Sequence, residues 1–210
     1  EAMIDGVLET TPERLESCRT EILRLTRMLS DIDKIVQIEN ESLLLDKTKF
    51  DLLEVVHQVV LNFQPELDSL KLQLKVSTKS CEIYADKDKI VQVIINLLSN
   101  AIKYTEEGGE VVVSFSRTEH DFRICVKDNG IGINSENLEK LFQIDSKVKQ
   151  KGTQNEDGSG IGLILCKELV SKHHGRIWAE STVGMGSRFY VTLPLPESSR
   201  FLFQEENQNS

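Results

Sequence analysis

Long apolar runs are missing from this 210-residue sequence. No stretch approaches the roughly 18 uninterrupted apolar residues of a membrane span. The best candidate, IVQVIINLL at 90–98, is broken by Gln92 and Asn96. No secretory signal opens the chain, so a soluble, cytoplasmic part is expected, whether or not a longer parent is anchored in a membrane upstream. Cysteine is scarce. Cys18, Cys81, Cys125 and Cys166 form no CxxC pair and sit among apolar residues, which reads as small buried hydrophobes in a reducing compartment rather than disulfides or metal ligands. Basic residues are outnumbered, 25 Lys and Arg against 34 Asp and Glu, for a net charge of -9. That balance argues against sequence-independent nucleic-acid binding, which needs clustered cations. Any anionic ligand must be held locally, against the overall field. There is no HExxH, no Cys/His metal spacing, no GxSxG and no persuasive Ser-His-Asp arrangement. The histidines read as unremarkable: His57 on an amphipathic helix, His120 at a turn, His173 and His174 at a helix end beside Gly175.

What is present suits a packed core, since an apolar content of 39% is ample for a domain of about 150 residues. Residues 12–39 read as a long helix with apolar residues at Leu15, Cys18, Ile22, Leu25, Leu29, Ile32 and Val36, alternating steps of three and four. That is a heptad seam, buried by packing against another helix. Thr11 as cap with Pro12 at the first helical position starts it. The preceding EAMIDGVLE reads as the last turns of an earlier helix, ending near Gly6. Residues 1–45 are thus expected to be the end of one helix, a turn and a second helix. A lone hairpin cannot cover such a seam, and a homodimer is the expected solution. From residue 46 the pattern changes to an amphipathic helix (FDLLEVVHQVVLNFQPEL), an alternating strand (LQLKVST) and a short CEIYAD segment. A second long helix over 87–104 and strands VVVSFS and FRICVKD follow, then a short helix near 136–142 and a polar, Lys- and Gly-containing stretch over 145–160. A helix from Gly162 to about His173 and strands RIWAES and SRFYVTLP, joined through Gly184 and Gly186, close the domain at 196. Helices and hairpin-linked strands together imply an α+β domain with a mixed sheet. The polar tail, 197–210, is expected to be disordered.

Three segments carry chemistry. The helix over 87–104 is apolar almost all round, except for a stripe of Gln92, Asn96, Asn100 and Lys103, whose spacing puts them on one face. Asparagine is a poor helix former. Its presence in mid-helix reads either as a lined cavity, with Asn100 offering an amide oxygen to Mg²⁺ and Lys103 meeting phosphates, or as a solvated stripe of accidental composition. DNGIGI, 128–133, follows a strand whose alternation places Asp128 on the inner face at its end. A carboxylate there can accept from an exocyclic amine such as adenine N6, with Gly130 and Gly132 letting backbone approach the base. An Asn-Gly hairpin turn is the competing reading, but the NSENLEKLF that follows starts as a capped helix rather than a returning strand. GSGIGL, 158–163, opens an apolar helix. Free amides there, with glycines allowing close approach, make an anion site for a triphosphate; a flexible linker is the alternative for such a cluster taken alone. A Walker loop is excluded by the absence of Gly-Lys-Ser/Thr, and a dinucleotide fingerprint by the polar loop before the glycines. Lys147, Lys149 and Lys151 in that loop read equally as a lid over phosphates or as a solvated surface. GMGS at 184–187 is a hairpin turn from which Ser187 is placed to reach a nucleotide.

Taken in order, these segments resemble the catalytic domain of two-component sensor histidine kinases, in the wider gyrase-like ATPase superfamily. NLLSNAIKYT is similar to the N box, DNGIGI to the G1 box, LEKLF to the F box, GSGIGL to the G2 box and GMGSRFYVTLP to the closing G3 segment, across roughly 50–196. The helix before them resembles the second helix of the dimerisation and phosphoacceptor domain. The resemblance implies a two-layer α/β sandwich of Bergerat type preceded by a helical-hairpin remnant. It implies an ATP site with Asn96, Asn100 and Lys103 at the Mg²⁺–phosphate end, Tyr104 near the nucleotide and Asp128 reading adenine. Gly130, Gly132, Ile133, Gly158, Ser159, Gly160, Ile161, Gly162, Leu163 and Ser187 would shape the pocket. A response regulator receiver domain is the implied downstream partner. Two departures matter. Hydrolytic relatives carry a Glu general base at the position of Asn96, and an amide cannot take that proton, which favours kinase over ATPase. No histidine here lies in the family's H box, so the acceptor is expected upstream in a longer protein.

Overall fold

In the computed structural model of the chain, residues 11–12, 14–19, 21–22, 26, 29, 36, 44–78, 80–118, 120–143 and 161–195 are described. The chain divides into two compact units, Glu1–Glu41 and Ser42–Ser210. In the first, the described residues from 12 onward are helical. Thr11 starts the helix as expected, its Oγ1 accepting from the Arg14 amide at 3.4 Å and its carbonyl from Leu15 at 3.0 Å. The seam residues Leu15, Ile22, Leu29 and Val36 are 55–63% exposed. Cys18 is exposed too, against the expectation of burial; Cys81 and Cys125 are half-buried, Cys166 is buried, and all four are free thiols. Leu25 and Ile32 lie outside the described residues.

The second unit begins with β1 (Lys47–Asp51), then α1 (Leu52–Ser69), β2 (Gln73–Val76), β3 (Glu82–Asp86) and α2 (Lys87–Tyr104). It continues with β4 (Glu110–Arg117), β5 (Asp121–Asp128), a one-turn α3 (Ser135–Leu138), α4 (Ile161–Lys172), β6 (Arg176–Thr182) and β7 (Gly186–Pro194). The main sheet has the order β2-β4-β5-β7-β6, parallel between β2 and β4 and antiparallel elsewhere, so it is mixed, as expected. β1, which the sequence pattern does not suggest, pairs antiparallel with β3 in a separate ribbon. The helix expected near 136–142 is confined to Ser135–Leu138.

One face of the sheet makes the core. Phe122, Ile124 and Val126 of β5 are buried in alternation with half-buried neighbours, the period-two pattern of a one-sided sheet, and Phe189, Val191 and Leu193 of β7 are buried at the same spacing, with Thr192 between the last two buried as well. The helices add buried Val55, Val56 and Val59 from α1, Ile90, Val93, Ile94, Leu97, Leu98 and Ala101 from α2, and Leu165, Cys166, Leu169 and Val170 from α4. Each such side chain contributes about 1.5–3 kcal/mol of transfer free energy. The result is a two-layer α/β sandwich.

The end of α4 carries a local cost. The Gly175 amide reaches back to Val170 O at 2.9 Å and the His174 amide to Ser171 O at 2.8 Å, the paired bonds of a Schellman cap. His174 therefore adopts φ +59°, where a side chain is strained and glycine is not. Since His174 is exposed, His174→Gly is expected to stabilise the fold by about 0.5–1 kcal/mol, read as a raised urea midpoint at unchanged m-value.

Candidate active site

α2 is started by Asp86, whose side chain accepts from the Lys89 amide at 3.2 Å, and it runs over the range its pattern predicts. Its polar stripe is half-buried: Gln92, Asn96, Asn100, Lys103 and Tyr104 are neither in the core nor fully in solvent. Asn96 Nδ2 donates to Gln92 O at 3.0 Å, which fixes the amide and turns its oxygen outward. That oxygen faces α4, because a Cβ placed on Gly162 would lie 2.8 Å from Asn96 Oδ1. The two helices run antiparallel in a definite register. Asp86 meets His173, Val93 O meets Cys166 Sγ at 3.9 Å and Asn96 meets Gly162. The N-terminal end of α4, with Ile161, Gly162 and Leu163 half-buried, is thus delivered beside the amide stripe. Helix N-termini attract anions through unpaired amides and the macrodipole. Lys103 adds a cation nearby on α2, its Nζ 5.6 Å from the centre of the Tyr104 ring.

Asp128 closes the site from the sheet. It ends β5, is 3% exposed, and its Oδ1 accepts from the Gly130 amide at 2.9 Å and the Ser187 amide at 3.1 Å. Its second oxygen has no hydrogen bond among the described residues. Burial pushes the carboxyl above the usual carboxylate range, opposed by the bonds from Gly130 and then Ser187. The loop after it is held by backbone on three sides. Ile131 N donates to Tyr104 O at the end of α2 (3.1 Å), Asn129 exchanges bonds with Glu110 at the start of β4, and Gly184 N donates to Ile131 O from the β6–β7 hairpin (2.8 Å).

These contacts give the glycines a different reason from the one the sequence suggests. A Cβ on Gly130 would be driven into the Tyr104 carbonyl, and one on Gly132, at φ +69°, into that of Thr182. Both are needed for backbone to pass backbone, Gly130 against the end of α2 and Gly132 against the end of β6, where Ile133 N meets Ser181 Oγ. Ser187 is brought to Asp128 through its amide, while its hydroxyl, 6% exposed with the residue, lies 3.0 Å from Ser181 Oγ. Ser181, which sequence reasoning passes over, is the hub here. It accepts from Ile133 N at 2.8 Å and donates to Gly186 O at 2.8 Å. Its position on β6 opposite Ser187 is a register relation that no motif announces. Gly158, Ser159, Gly160 and the lysines at 147, 149 and 151 lie outside the described residues.

A buried strand-end carboxylate, an amide-lined helix and a glycine-started helix on a mixed sheet define a nucleotide-binding α/β sandwich of ATPase type. The family model for histidine kinase-, DNA gyrase B-, and HSP90-like ATPases matches residues 85–197, and the chain belongs to that family, as the catalytic domain of a sensor histidine kinase. The adaptive-response sensory kinase SasA of Crocosphaera subtropica (strain ATCC 51142 / BH68) is 35% identical over 188 residues, covering 88% of this chain and 49% of SasA. The chain thus spans about half the length of that relative. The structure of the Acinetobacter baumannii histidine kinase AdeS superposes with a TM-score of 0.73 at 25% identity, covering 93% of this chain and 91% of that one. ThkA, solved in complex with the response regulator TrrA, shares the fold with a TM-score of 0.74 at 23% identity, over 93% of this chain and 57% of ThkA. Among the described residues, no helix is long and apolar enough to cross a membrane.

Proposed function

We propose that the chain binds ATP·Mg²⁺ between α2, Asp128 and the start of α4, and transfers the γ-phosphoryl to a histidine outside this chain, for onward signalling to a response regulator receiver domain. The observation that carries the reading is Asp128. Oδ1 is occupied by two backbone amides and the other oxygen has no hydrogen bond among the described residues, which suits a single exocyclic amine donor such as that of adenine. The triphosphate then runs from the 128–133 loop along α2 toward α4. Asn96, Asn100 and Lys103 act at the phosphate end, with Tyr104 beside them. Ile133, Gly158, Ser159, Gly160, Ile161, Gly162 and Leu163 wrap the ligand, and the amide of Ser187 orients Asp128.

The donor chemistry of α2 fits a hard cation. Mg²⁺ keeps most of its water and needs only one or two protein oxygens beside the phosphates, and Asn100 would supply the amide oxygen. When bound, the ion neutralises phosphate charge. The chain's own part is positioning: helix amides and Lys103 hold the phosphates while the bond from the γ-phosphorus to the β–γ bridging oxygen breaks and one to the histidine nitrogen forms, with ADP leaving. Asn96 has no basic atom, and its Nδ2 is already committed to Gln92 O, which supports transfer over hydrolysis.

We divide the chain into a dimerisation and phosphoacceptor segment (1–45), the ATP-binding domain (46–196) and a polar tail (197–210). Exposed seam residues Leu15, Ile22, Leu29 and Val36 support homodimerisation through the first segment. The test supplies ATP·Mg²⁺ and a separate helix bearing the family's H box. Acid-labile phosphohistidine on that helix, without multiple-turnover phosphate release, is expected. Nucleotide binding with no phosphohistidine would instead mark a non-catalytic binding module, and steady phosphate release abolished by Asn96→Ala would mark a hydrolase.

A further inference from the structure

His173, which no motif claims, is 3% exposed and fully committed. Its Nε2 accepts from the Asp86 amide at 3.0 Å, so its ring proton sits on Nδ1 and is donated to Leu169 O at 2.7 Å. Only this neutral tautomer satisfies both partners. Asp86, 6% exposed, is itself a junction. Oδ1 caps α2 through Lys89, and Oδ2 accepts from the Asp46 amide at 3.0 Å, where the chain enters β1. One buried cluster therefore joins the entry segment, the first turn of α2 and the C-terminal end of α4. At the other end of the same antiparallel pair, Gly162 packs on Asn96.

We infer that His173 is a positioning residue for nucleotide binding: through Asp86 it fixes the register of α4 along α2, and with it the placement of the α4 N-terminus against Asn96. The inference rests on the nucleotide reading above. α4 is a continuous helix of 12 residues, so a slip at one end is delivered to the other, and misplacement by about 1 Å at a reacting centre costs up to roughly 100-fold. Between the ends, buried apolar side chains, which are non-directional, and the weak contact of Cys166 Sγ with Val93 O join the helices, so the His173 bond is a directional tether at the distal end. Protonation of His173 would put a second donor on Nε2, facing the Asp86 N–H, and break it. The groups around the ring are Lys47 on β1 and His174 beside it, which oppose protonation, and the Asp86 carboxylate, which favours it; Tyr84 of β3 lines the same hollow. Burial, the largest influence, holds the imidazole below its ordinary range. Nucleotide affinity should thus be full at neutral pH and fall as the pH drops below that range.

Linkage makes this testable in the unsubstituted chain: if protonating His173 weakens ADP·Mg²⁺ about tenfold, ADP·Mg²⁺ must lower the His173 pKa by about one unit. The imidazole resonances of His173 are titrated by NMR with and without saturating ADP·Mg²⁺, and a lowered midpoint is expected. Two variants, compared by calorimetry at pH 7.5, separate register from packing. His173→Gln places an amide oxygen where Nε2 accepts and should bind within about twofold of the parent. His173→Asn keeps a donor for Leu169 O but is too short for Asp86, and should bind about five- to tenfold more weakly. A His173 midpoint indifferent to ADP overturns the inference, as does a folded Asn variant with parental affinity. Failure of the unsubstituted chain to bind ADP·Mg²⁺ would remove the nucleotide reading itself and this inference with it.

Discussion

Asp128→Asn is expected to abolish most nucleotide affinity while leaving the fold intact. The amide oxygen of Asn takes over the role of Oδ1, accepting from Gly130 and Ser187 as before. The amide nitrogen replaces the open oxygen, so an acceptor becomes a donor pointed at the adenine amine. A charge-assisted bond is lost and an opposed pair of donors is created, together about 2–3 kcal/mol or roughly 30- to 150-fold in Kd. Asp128→Ala differs in kind. It leaves two buried amides without acceptors, each at about 1–3 kcal/mol, so it should lower stability as well as affinity. Calorimetry with ADP·Mg²⁺ and urea denaturation on both variants separate the two effects, and parental affinity in the Asn variant would remove Asp128 from the site. Low pH should imitate the Asn variant, since protonation at the open oxygen also converts it to a donor. The carboxyl is raised above the usual range by burial, so affinity falls as pH drops through that raised pKa, sooner than an ordinary aspartate would cause. For stability the sign is opposite. A carboxyl whose folded pKa exceeds its unfolded value binds its proton more tightly when folded, so its contribution declines as pH rises through that window.

How much of this was readable from residue order depends on the range of the interactions. α2 was legible over its length because its determinants are local: an apolar surface nearly all round, and a four-four-three polar stripe. Asp128 was legible because alternation along β5 fixes the face of every residue up to the last. β1 was not. Lys47, Thr48 and Lys49 carry no one-sided pattern, and the strand exists because it pairs with β3, Lys47 opposite Asp86 and Asp51 opposite Glu82. The glycines were legible as special positions but not for their cause. The neighbours that forbid a side chain, Tyr104 and Thr182, are 26 and 50 residues away from Gly130 and Gly132, and no spacing rule connects them. In the sequence His173 is an ordinary helix-end residue, since its partner Asp86 lies 87 positions earlier.

Gly186→Ala is expected to be strongly destabilising, and Gly184→Ala, two residues earlier in the same hairpin, shows why. Both glycines have positive φ, +76° at Gly184 and +91° at Gly186. An alanine at Gly184 meets nothing within 4 Å, so it bears only the conformational cost, about 1–2 kcal/mol. At Gly186 the new Cβ would be driven into the Asp128 carbonyl and would lie 2.7 Å from Asn129 Cα. Those are backbone atoms at the end of β5, with no flexible side chain to swing away, so the conformational cost is joined by an overpacking cost of about 1–3 kcal/mol or more. Relief requires the start of β7 to move off β5. That movement takes with it the Ser187 amide that holds Asp128 Oδ1 and the Gly186 carbonyl that accepts from Ser181. Gly186→Ala should therefore lose affinity for ADP·Mg²⁺ in step with stability, whereas Gly184→Ala should lose a little stability and no affinity. Equal urea midpoints for the two variants would mean that the β5–β7 junction is looser than these contacts require, and that Asp128 is not held by the strand that follows it.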